Sequence, residues 1–391
     1  MQAMNGSAGS RRSRGRLIGC CMALALLVTA LFASSASAMK VTVAHTDLAM
    51  GDSLSFGYSQ QLFNENEKLG LPPTAFEHGY ANDYFTLSKG KPLGGQLVNV
   101  GCPGETTSSL IGNGPLGKGM EGALGTTTEA PCTTYPISQL HHPYPGTDSQ
   151  LETALTVIAE EAGAKTPVTT LTLNIGANDE LHQIAKCEKE AEPAEKAAGE
   201  KAYVETLEKG GTTAEAEAAY KVAAEAAGKA SVKKCIEEHA TALFTGILKN
   251  IGGIMYVLRN ATAFGYPVSY TGKIVVQGGY DPYGNVFGTG ELLSGSNALA
   301  SILNFKEAKL VTDTGTEAEE EGHPPFGACY ANPQPEFNTG KKSEPLRLQK
   351  WTNMANFTEF EGKKNGPDIH PTPLGYKQLA KIMKTDCGAV E

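Results

Sequence analysis

The sequence alternates between short hydrophobic runs and longer segments in which hydrophobic residues recur at helical spacing. Five of the short runs predict β-strands, at residues 42–50, 96–100, 168–175, 273–277 and 326–331. The run at 168–175, VTTLTLNI, is β-branched and nearly continuous, which is typical of a strand buried on both faces. Helical spacing occupies segments between the strands, including residues 150–162 and 242–260.

Strands separated by crossover helices predict an α/β fold. We expect a three-layer α/β/α sandwich around a central, mainly parallel sheet of about five strands. In such a sheet, ligands bind in the crevice at the carboxyl ends of the strands. The tetrapeptide GDSL, residues 51–54, follows the first predicted strand directly and is therefore expected at that edge.

One segment, residues 186–239, is unusually rich in Ala, Glu and Lys. Gly210 and Gly211 near its middle predict two helices joined by a turn, inserted into the domain and bracketed by Cys187 and Cys235. Two interpretations are open. A solvated helical hairpin is favoured because Ala/Glu helices offer little apolar surface to a lipid, and a mobile lid over a site is the alternative.

The N-terminus has the pattern of a secretory signal peptide. An apolar stretch at residues 17–33 ends at the small-residue sequence Ala36-Ser37-Ala38, and four basic residues precede it, namely Arg11, Arg12, Arg14 and Arg16. We expect residues 1–38 to be cleaved near Ala38 and the mature chain to be secreted; an uncleaved anchor is the alternative. Residues 39–391 then form a single domain with the insertion at 186–239. No other long uninterrupted apolar run follows, which predicts a soluble mature chain without stable membrane insertion. We expect a monomer.

The net charge and composition limit the kinds of partner that the protein is suited to bind. The formal net charge is −9, and loss of the basic leader would make it more negative. An acidic secreted chain is not suited to bind nucleic acid or an anionic membrane surface. No His or Cys pair has metal-ligand spacing, so we expect neither a metal nor another cofactor.

Cysteine usage supports an exported chain. Cys20 and Cys21 lie in the leader, which leaves six cysteines and fifteen possible connectivities. Sequential pairing is favoured because short closed loops fit insertions on a compact scaffold. The expected disulfides are Cys102–Cys132, Cys187–Cys235 and Cys329–Cys387.

Two motifs could form a nucleophile and its base. A serine hydroxyl needs a histidine base, and the base needs an orienting carboxylate. Ser53 in GDSL could be the nucleophile, while Asp52 is expected to cap the following turn. Asp368 and His370 in DIHPT lie two positions apart on a stiff, proline-flanked segment, where the carboxylate could bind Nδ1 and leave Nε2 for the serine.

Two further motifs could donate hydrogen bonds to an oxyanion. CPGETT, residues 102–107, follows the second predicted strand, and GAND, residues 176–179, follows the third. Gly104 could present its backbone N–H, and Asn178 could present its side-chain amide. Taken alone, a glycine or an asparagine at such a place is more often turn chemistry.

Together the four blocks resemble those of the SGNH hydrolases, also called GDSL esterases and lipases. The family's four blocks are matched, in the same order, by GDSL, CPGETT, GAND and DIHPT, which together span essentially the whole mature chain. The last block has a short D-x-H form. The exported, six-cysteine layout is most similar to secreted actinobacterial members. The resemblance implies a flavodoxin-like sheet and a serine hydrolase acting on small-molecule or lipid carboxylic esters.

The resemblance also implies roles for individual residues. Ser53 would be the nucleophile, His370 the base and Asp368 the residue that orients it. The oxyanion hole would consist of the Ser53 and Gly104 amides and the Asn178 side chain. A carbohydrate O-acetyl esterase or a phospholipase on the same fold is the main alternative, and a catalytically inactive surface-binding protein is a further one.

Overall fold

The computed structural model describes residues 44–69, 73–88, 94–112, 116, 140–144, 149–282, 291–313, 326–338, 350–355, 359–360, 363–364 and 368–389. The predicted leader and Cys132 lie outside these residues.

The central sheet has five strands in the order β2-β1-β3-β4-β5, and every neighbouring pair is parallel. The strands are β1 (Thr46–Gly51), β2 (Gln96–Asn99), β3 (Val168–Asn174), β4 (Lys273–Gln277) and β5 (Cys329–Ala331). A separate antiparallel pair consists of β6 (Glu359–Phe360) and β7 (Lys363–Lys364). The predicted parallel α/β fold is confirmed, and the strand order is that of a flavodoxin-like sheet.

Helices follow the strands in the expected alternation. They are α1 (Ser53–Phe56), α2 (Gln60–Leu69), α3 (Tyr80–Leu87), α4 (Thr107–Ile111), α5 (Gln150–Gly163), α6 (Ala177–Glu208), α7 (Thr213–Arg259), α8 (Glu291–Thr312), α9 (Gln334–Asn338) and α10 (Pro373–Cys387). Short 3₁₀ turns lie at Pro73–Phe76, Ala261–Phe264 and Asn353–Ala355.

The sheet is buried on both faces, because alternate strand residues point into two different hydrophobic clusters. Leu48 and Met50 of β1 belong to a cluster with the buried faces of α5 and α7, whereas Ala49 between them packs with α3 and α10. β4 repeats the pattern, with Ile274 on one side and Val275 on the other. This arrangement is the predicted three-layer sandwich.

The helical hairpin is longer than the sequence predicts. The segment 186–239 and the separate helix at 242–260 were expected as distinct elements, but α7 runs through both as one helix of 47 residues. No proline interrupts the junction, and glycines within a helix cost only about 1 kcal/mol each, which packing against the sheet offsets. The turn lies where it is expected: Gly210 has φ +84°, and Thr212 caps α7.

The outer part of the hairpin is solvated, as the favoured interpretation expects. Exposed i,i+4 ion pairs line it, including Lys196–Glu200 and Lys201–Glu205. Near its base, Cys187 and Cys235 form a disulfide that packs with Ala191 and Val232. A second disulfide joins Cys329 in β5 to Cys387 at the end of α10. The Cys102–Cys132 pairing falls partly outside the described residues.

By length and composition alone, α7 is the one helix of the described residues that could cross a membrane. Half of its most apolar 18-residue window is buried inside the protein. Ile247, Ile251 and Ile254 on that face are fully buried in the cluster under the sheet.

Candidate active site

Ser53 lies at the point where β1 ends and α1 begins. Gly51, the last residue of β1, has φ +129°, and a Cβ there would fall 2.6 Å from Ser55 Oγ and against the carbonyl of Asn174. Only glycine therefore permits this sharp turn. Asp52 is the N-cap of α1, and its Oδ1 accepts a hydrogen bond from the Leu54 N–H at 2.9 Å. The turn leaves Ser53 half-buried, on the wall of a cavity.

A continuous hydrogen-bonded chain links Ser53, His370 and Asp368. His370 Nε2 lies 2.9 Å from Ser53 Oγ, and His370 Nδ1 lies 2.6 Å from Asp368 Oδ1. The side chains of His370 and Asp368 are only 15% and 11% exposed, so bulk water has little access to the pair. These are the three residues in which the sequence predicts a nucleophile, a base and its orienting carboxylate.

The loop that carries His370 is held by main-chain contacts. The Tyr280 hydroxyl donates to the carbonyl of Ile369 at 2.7 Å, and the Asn353 N–H donates to the carbonyl of His370 at 2.9 Å. The Tyr58 ring packs against the imidazole with its centroid 4.7 Å away. These contacts come from three separate segments, so the imidazole has a defined orientation.

Asp368 is stabilised as a carboxylate. Burial raises the pKa of this group, but its hydrogen bonds and the charge of His370 outweigh that effect and hold its pKa below the usual range. Oδ2 accepts the backbone N–H of Gln60 at 3.0 Å, and Oδ1 also accepts the N–H of His370 at 3.1 Å. An ionised Asp368 favours the tautomer in which Nδ1 carries the proton and Nε2 faces the serine.

The three predicted oxyanion donors border the same cavity as the serine. Gly104 has φ +82° at a turn, and Asn178 lies in the first turn of α6. Asn178 Nδ2 donates to the carbonyl of Glu105 at 2.8 Å, which uses one of the two amide hydrogens. The described residues include no acceptor for the backbone N–H groups of Ser53 and Gly104.

Sequence reasoning missed a buried polar bridge behind these donors. Gln150, the first residue of α5, is fully buried, and its Oε1 accepts the Gly51 N–H at 2.5 Å. Its Nε2 donates to the Gly51 carbonyl at 2.9 Å and to Glu105 Oε2 at 3.0 Å. Ser109 Oγ donates to Glu105 Oε1 at 2.5 Å. The bridge joins the end of the Ser53 strand to the loop that contains Gly104, and no motif around Gln150 signals it.

A second bridge ties the donor loop to α6. The carboxylate of Asp179, next to Asn178, accepts hydrogen bonds from the N–H and the hydroxyl of Thr107 at 2.9 and 2.8 Å. The Asn250 amide of α7 donates to the same Thr107 hydroxyl at 2.9 Å. Loop and helix are thereby held in a fixed relative position.

Burial dominates the electrostatics beneath the serine. It raises the pKa of Asp52 to about 7, and the negative charge of Asp179 adds to that effect. Burial also raises the pKa of Glu105 to about 8. Both carboxyls are less than 2% exposed, so burial disfavours their ionised forms.

The cavity next to Ser53 has a volume of about 440 Å³. Its lining includes apolar side chains from the base of the hairpin and from α8, namely Leu181, Ile184, Ile236, Leu243, Phe244, Leu299 and Leu303. Only Ile236 among these residues lies within the segment 186–239, so the apolar lining comes mainly from the parts of α6 and α7 that flank it and from α8. The hairpin is built into the wall of the cavity.

One group of His, Cys, Asp or Glu side chains in the described part of the chain has three ligand atoms within 4.8 Å of one another, and it contains Cys187, Cys235 and His239. Two of these ligands are the sulfurs of a disulfide, which cannot bind a metal as thiolates.

Comparison with known proteins yields only distant structural likeness. No protein-family model and no curated protein match the chain. A lipase from a goat rumen metagenome aligns over 88% of this chain and 98% of its own, with 12% identity and a TM-score of 0.41. A carbohydrate acetylesterase from Sinorhizobium meliloti covers 87% and 97% at 10% identity and a TM-score of 0.33. An aryl esterase from M. smegmatis covers 88% and 99% at 10% identity and a TM-score of 0.34. Likeness at this level assigns neither family nor activity.

Proposed function

We propose that this chain is a serine hydrolase that cleaves carboxylic esters. The observation that carries the proposal is the hydrogen-bonded chain from Ser53 Oγ through His370 to Asp368, which opens on a largely apolar cavity. A nucleophile, a base and an orienting carboxylate in this geometry are the requirements of acyl transfer.

In the proposed mechanism, Ser53 Oγ attacks the ester carbonyl while His370 Nε2 removes its proton. The N–H groups of Ser53 and Gly104 and the second amide hydrogen of Asn178 stabilise the oxyanion. His370 then gives the proton to the leaving alcohol, and an acyl-enzyme forms. A water molecule, deprotonated by His370, attacks the acyl carbonyl, and the proton returns to Ser53 as the acid leaves. Asp368 stabilises the imidazolium in both halves of the reaction.

The shape of the cavity favours a longer acyl chain over an acetyl group. An acetyl group leaves most of a 440 Å³ cavity with apolar walls unfilled, and each buried CH₂ contributes about 0.8 kcal/mol. We therefore expect kcat/KM to rise with acyl length from acetyl to at least butyryl. Highest activity on acetylated polysaccharide would instead favour a carbohydrate O-acetyl esterase.

The assignment is tested with p-nitrophenyl butyrate and a fluorophosphonate probe. Ser53→Ala should lose nearly all turnover and all labelling while keeping the wild-type melting temperature. Ser231→Ala, which changes a serine of α7 outside the cavity, is the matched control and should retain both. Near-normal turnover by Ser53→Ala would refute the proposal.

We also propose that the protein is exported and that its leader is cleaved near Ala38. Two disulfides within the described residues fit an oxidising compartment. Expression in a secreting host and N-terminal sequencing of the mature chain test this. A cytoplasmic product that retains residues 1–38 would contradict it.

A further inference from the structure

Two carboxyl groups border the cavity without complete hydrogen bonding. Glu180 lies in the first turn of α6, and Glu307 lies on α8. The Oε1 atom of each is buried and has no hydrogen-bond partner among the described residues. Glu307 is only 3% exposed. A buried carboxyl oxygen without a partner is costly unless a ligand satisfies it.

The polar neighbours of Glu307 are already occupied. The Tyr330 hydroxyl lies 3.1 Å from Glu307 Oε2 and 2.9 Å from Asn304 Oδ1, so its single proton is shared between two acceptors. The Asn304 amide donates to the carbonyl of Gly279 and to Gln334 Oε1. These interactions leave Oε1 of Glu307, a residue of the cavity lining, without a donor among the described residues.

The ionisable side chains of the cavity are mostly acidic. Its described lining includes four acidic residues, Asp52, Glu180, Asp281 and Glu307, and no lysine or arginine. The lining histidine, His370, has both ring nitrogens occupied by Ser53 and Asp368. The described lining therefore has no lysine or arginine that could pair with these carboxyls.

The remainder of the lining distinguishes between kinds of cation. A hydrated metal ion requires several oxygen ligands in a compact shell, and among the described residues of the lining no three acidic, His or Cys ligand atoms lie within 4.8 Å of one another. The leucine and isoleucine side chains beside Glu180 instead suit a weakly hydrated organic cation, whose alkyl groups need apolar contacts. The aromatic ring of Tyr280 in the same lining is also favourable to an alkylammonium group.

We propose that Glu180 and Glu307 form a subsite for the ammonium group of a cationic ester, with a choline ester as the simplest representative. The inference rests on the proposed ester hydrolase function, because it names the substrate class of the same cavity. Burial, together with the charges of neighbouring acids, raises the pKa of both carboxyls to about 8. A bound cation would supply the opposite charge and favour the ionised forms.

The test compares two esters of the same shape and different charge, butyrylcholine and 3,3-dimethylbutyl butyrate. Assays at about pH 9 keep the carboxyls ionised. The expected kcat/KM is at least about tenfold higher for the cationic ester. Glu307→Gln and Glu180→Gln should each reduce that ratio toward one. Glu188→Gln, an exposed residue of the same helix as Glu180, should leave the ratio unchanged.

Binding of tetramethylammonium, measured by calorimetry, separates the two proposals. Binding that is weakened by Glu307→Gln supports the subsite even if neither ester is hydrolysed, in which case the ester hydrolase assignment fails alone. Hydrolysis of both esters at equal rates, with no tetramethylammonium binding, overturns the subsite and leaves the hydrolase assignment standing. Binding of Ca²⁺ at Glu307 in place of tetramethylammonium would also overturn the subsite.

Discussion

The side-chain amide of Gln150 hydrogen-bonds to both the N–H and the C=O of Gly51, 99 positions earlier in the chain. Because the same amide also donates to Glu105, one buried side chain connects the serine turn to the loop that contains Gly104. The relative position of the proposed nucleophile and oxyanion donors therefore depends on a residue outside every recognisable motif.

Gln150→Leu should destabilise the protein and slow turnover. The substitution roughly keeps the volume but removes the partner of the Gly51 N–H and a donor to Glu105 Oε2, while the Gly51 carbonyl keeps the N–H of Cys102. The loss should lower the free energy of unfolding by about 3 kcal/mol. Displacement of the Glu105 loop should lower kcat by about 10- to 100-fold in protein that is still folded. Urea unfolding and steady-state kinetics measure the two effects. Gln61→Leu, at an exposed position of α2, is the control, and equal stability of both variants would contradict the role of the bridge.

Asp368→Asn should abolish most of the turnover without weakening substrate binding. An asparagine in this position can direct its NH₂ group at His370 Nδ1, which favours the tautomer that cannot accept the Ser53 proton. We expect kcat to fall by about 10³- to 10⁴-fold with little change in KM. Addition of Asp368→Asn to Ser53→Ala should cause no further loss, because the residues act as a unit. Additive losses would show that Asp368 acts elsewhere.

Gly51→Ala should be among the most disruptive small substitutions in the chain. The added Cβ would require φ +129°, which L-residues rarely adopt, and would collide with the Asn174 carbonyl. We expect a loss of more than about 3 kcal/mol in stability together with loss of activity. Gly163→Ala is the matched control, since a Cβ there meets nothing within 4 Å. Thermal melting of both variants gives the comparison, and similar melting temperatures would contradict the steric argument.

The buried carboxyl of Glu105 should make the protein less stable as the pH rises. Burial raises its pKa from 4.5 to about 8, so the folded state holds a proton that the unfolded state has lost. Its contribution is therefore fully present below about pH 4.5 and is lost as the pH rises towards about 8, at up to about 1.4 kcal/mol per pH unit. Unfolding free energies measured across this range should depend less on pH in Glu105→Gln than in wild type. Glu188→Gln should keep the wild-type slope, and an unchanged slope in Glu105→Gln would refute the prediction.

Local patterns predicted the fold well because each strand carries its own signal. The run at 168–175 is β-branched and nearly continuous, and β3 (Val168–Asn174) occupies almost the same residues. Helical segments between such runs admit few arrangements other than a parallel sheet with covered faces. The length of the second hairpin helix could not be predicted in this way, because nothing in the sequence near residue 240 indicates whether one helix ends and another begins. Packing of α7 against the sheet decides that it continues.

The residues of the candidate site likewise include some with a local sequence signal and some without one. Motifs named Ser53, Gly104, Asn178, Asp368 and His370, because turn glycines and short polar motifs after strands are local features of the chain. The bridge at Gln150 has no local signature, since a glutamine in the first turn of a helix is ordinary until its partners are known. The acidic pair in the cavity also has no local signature, because Glu180 and Glu307 are 127 positions apart and only the fold brings both to the lining of one cavity.

By itself, the sequence determined the parallel α/β architecture and the residues that could carry acyl-transfer chemistry, because hydrophobic periodicity and short motifs are properties of neighbouring residues. Only the tertiary structure decided the 2.9 Å contact between Ser53 and His370, the amide bridge behind it and the acidic, apolar-walled cavity beside it. These features depend on distances between residues far apart in the chain, which are set by the packing of the whole core.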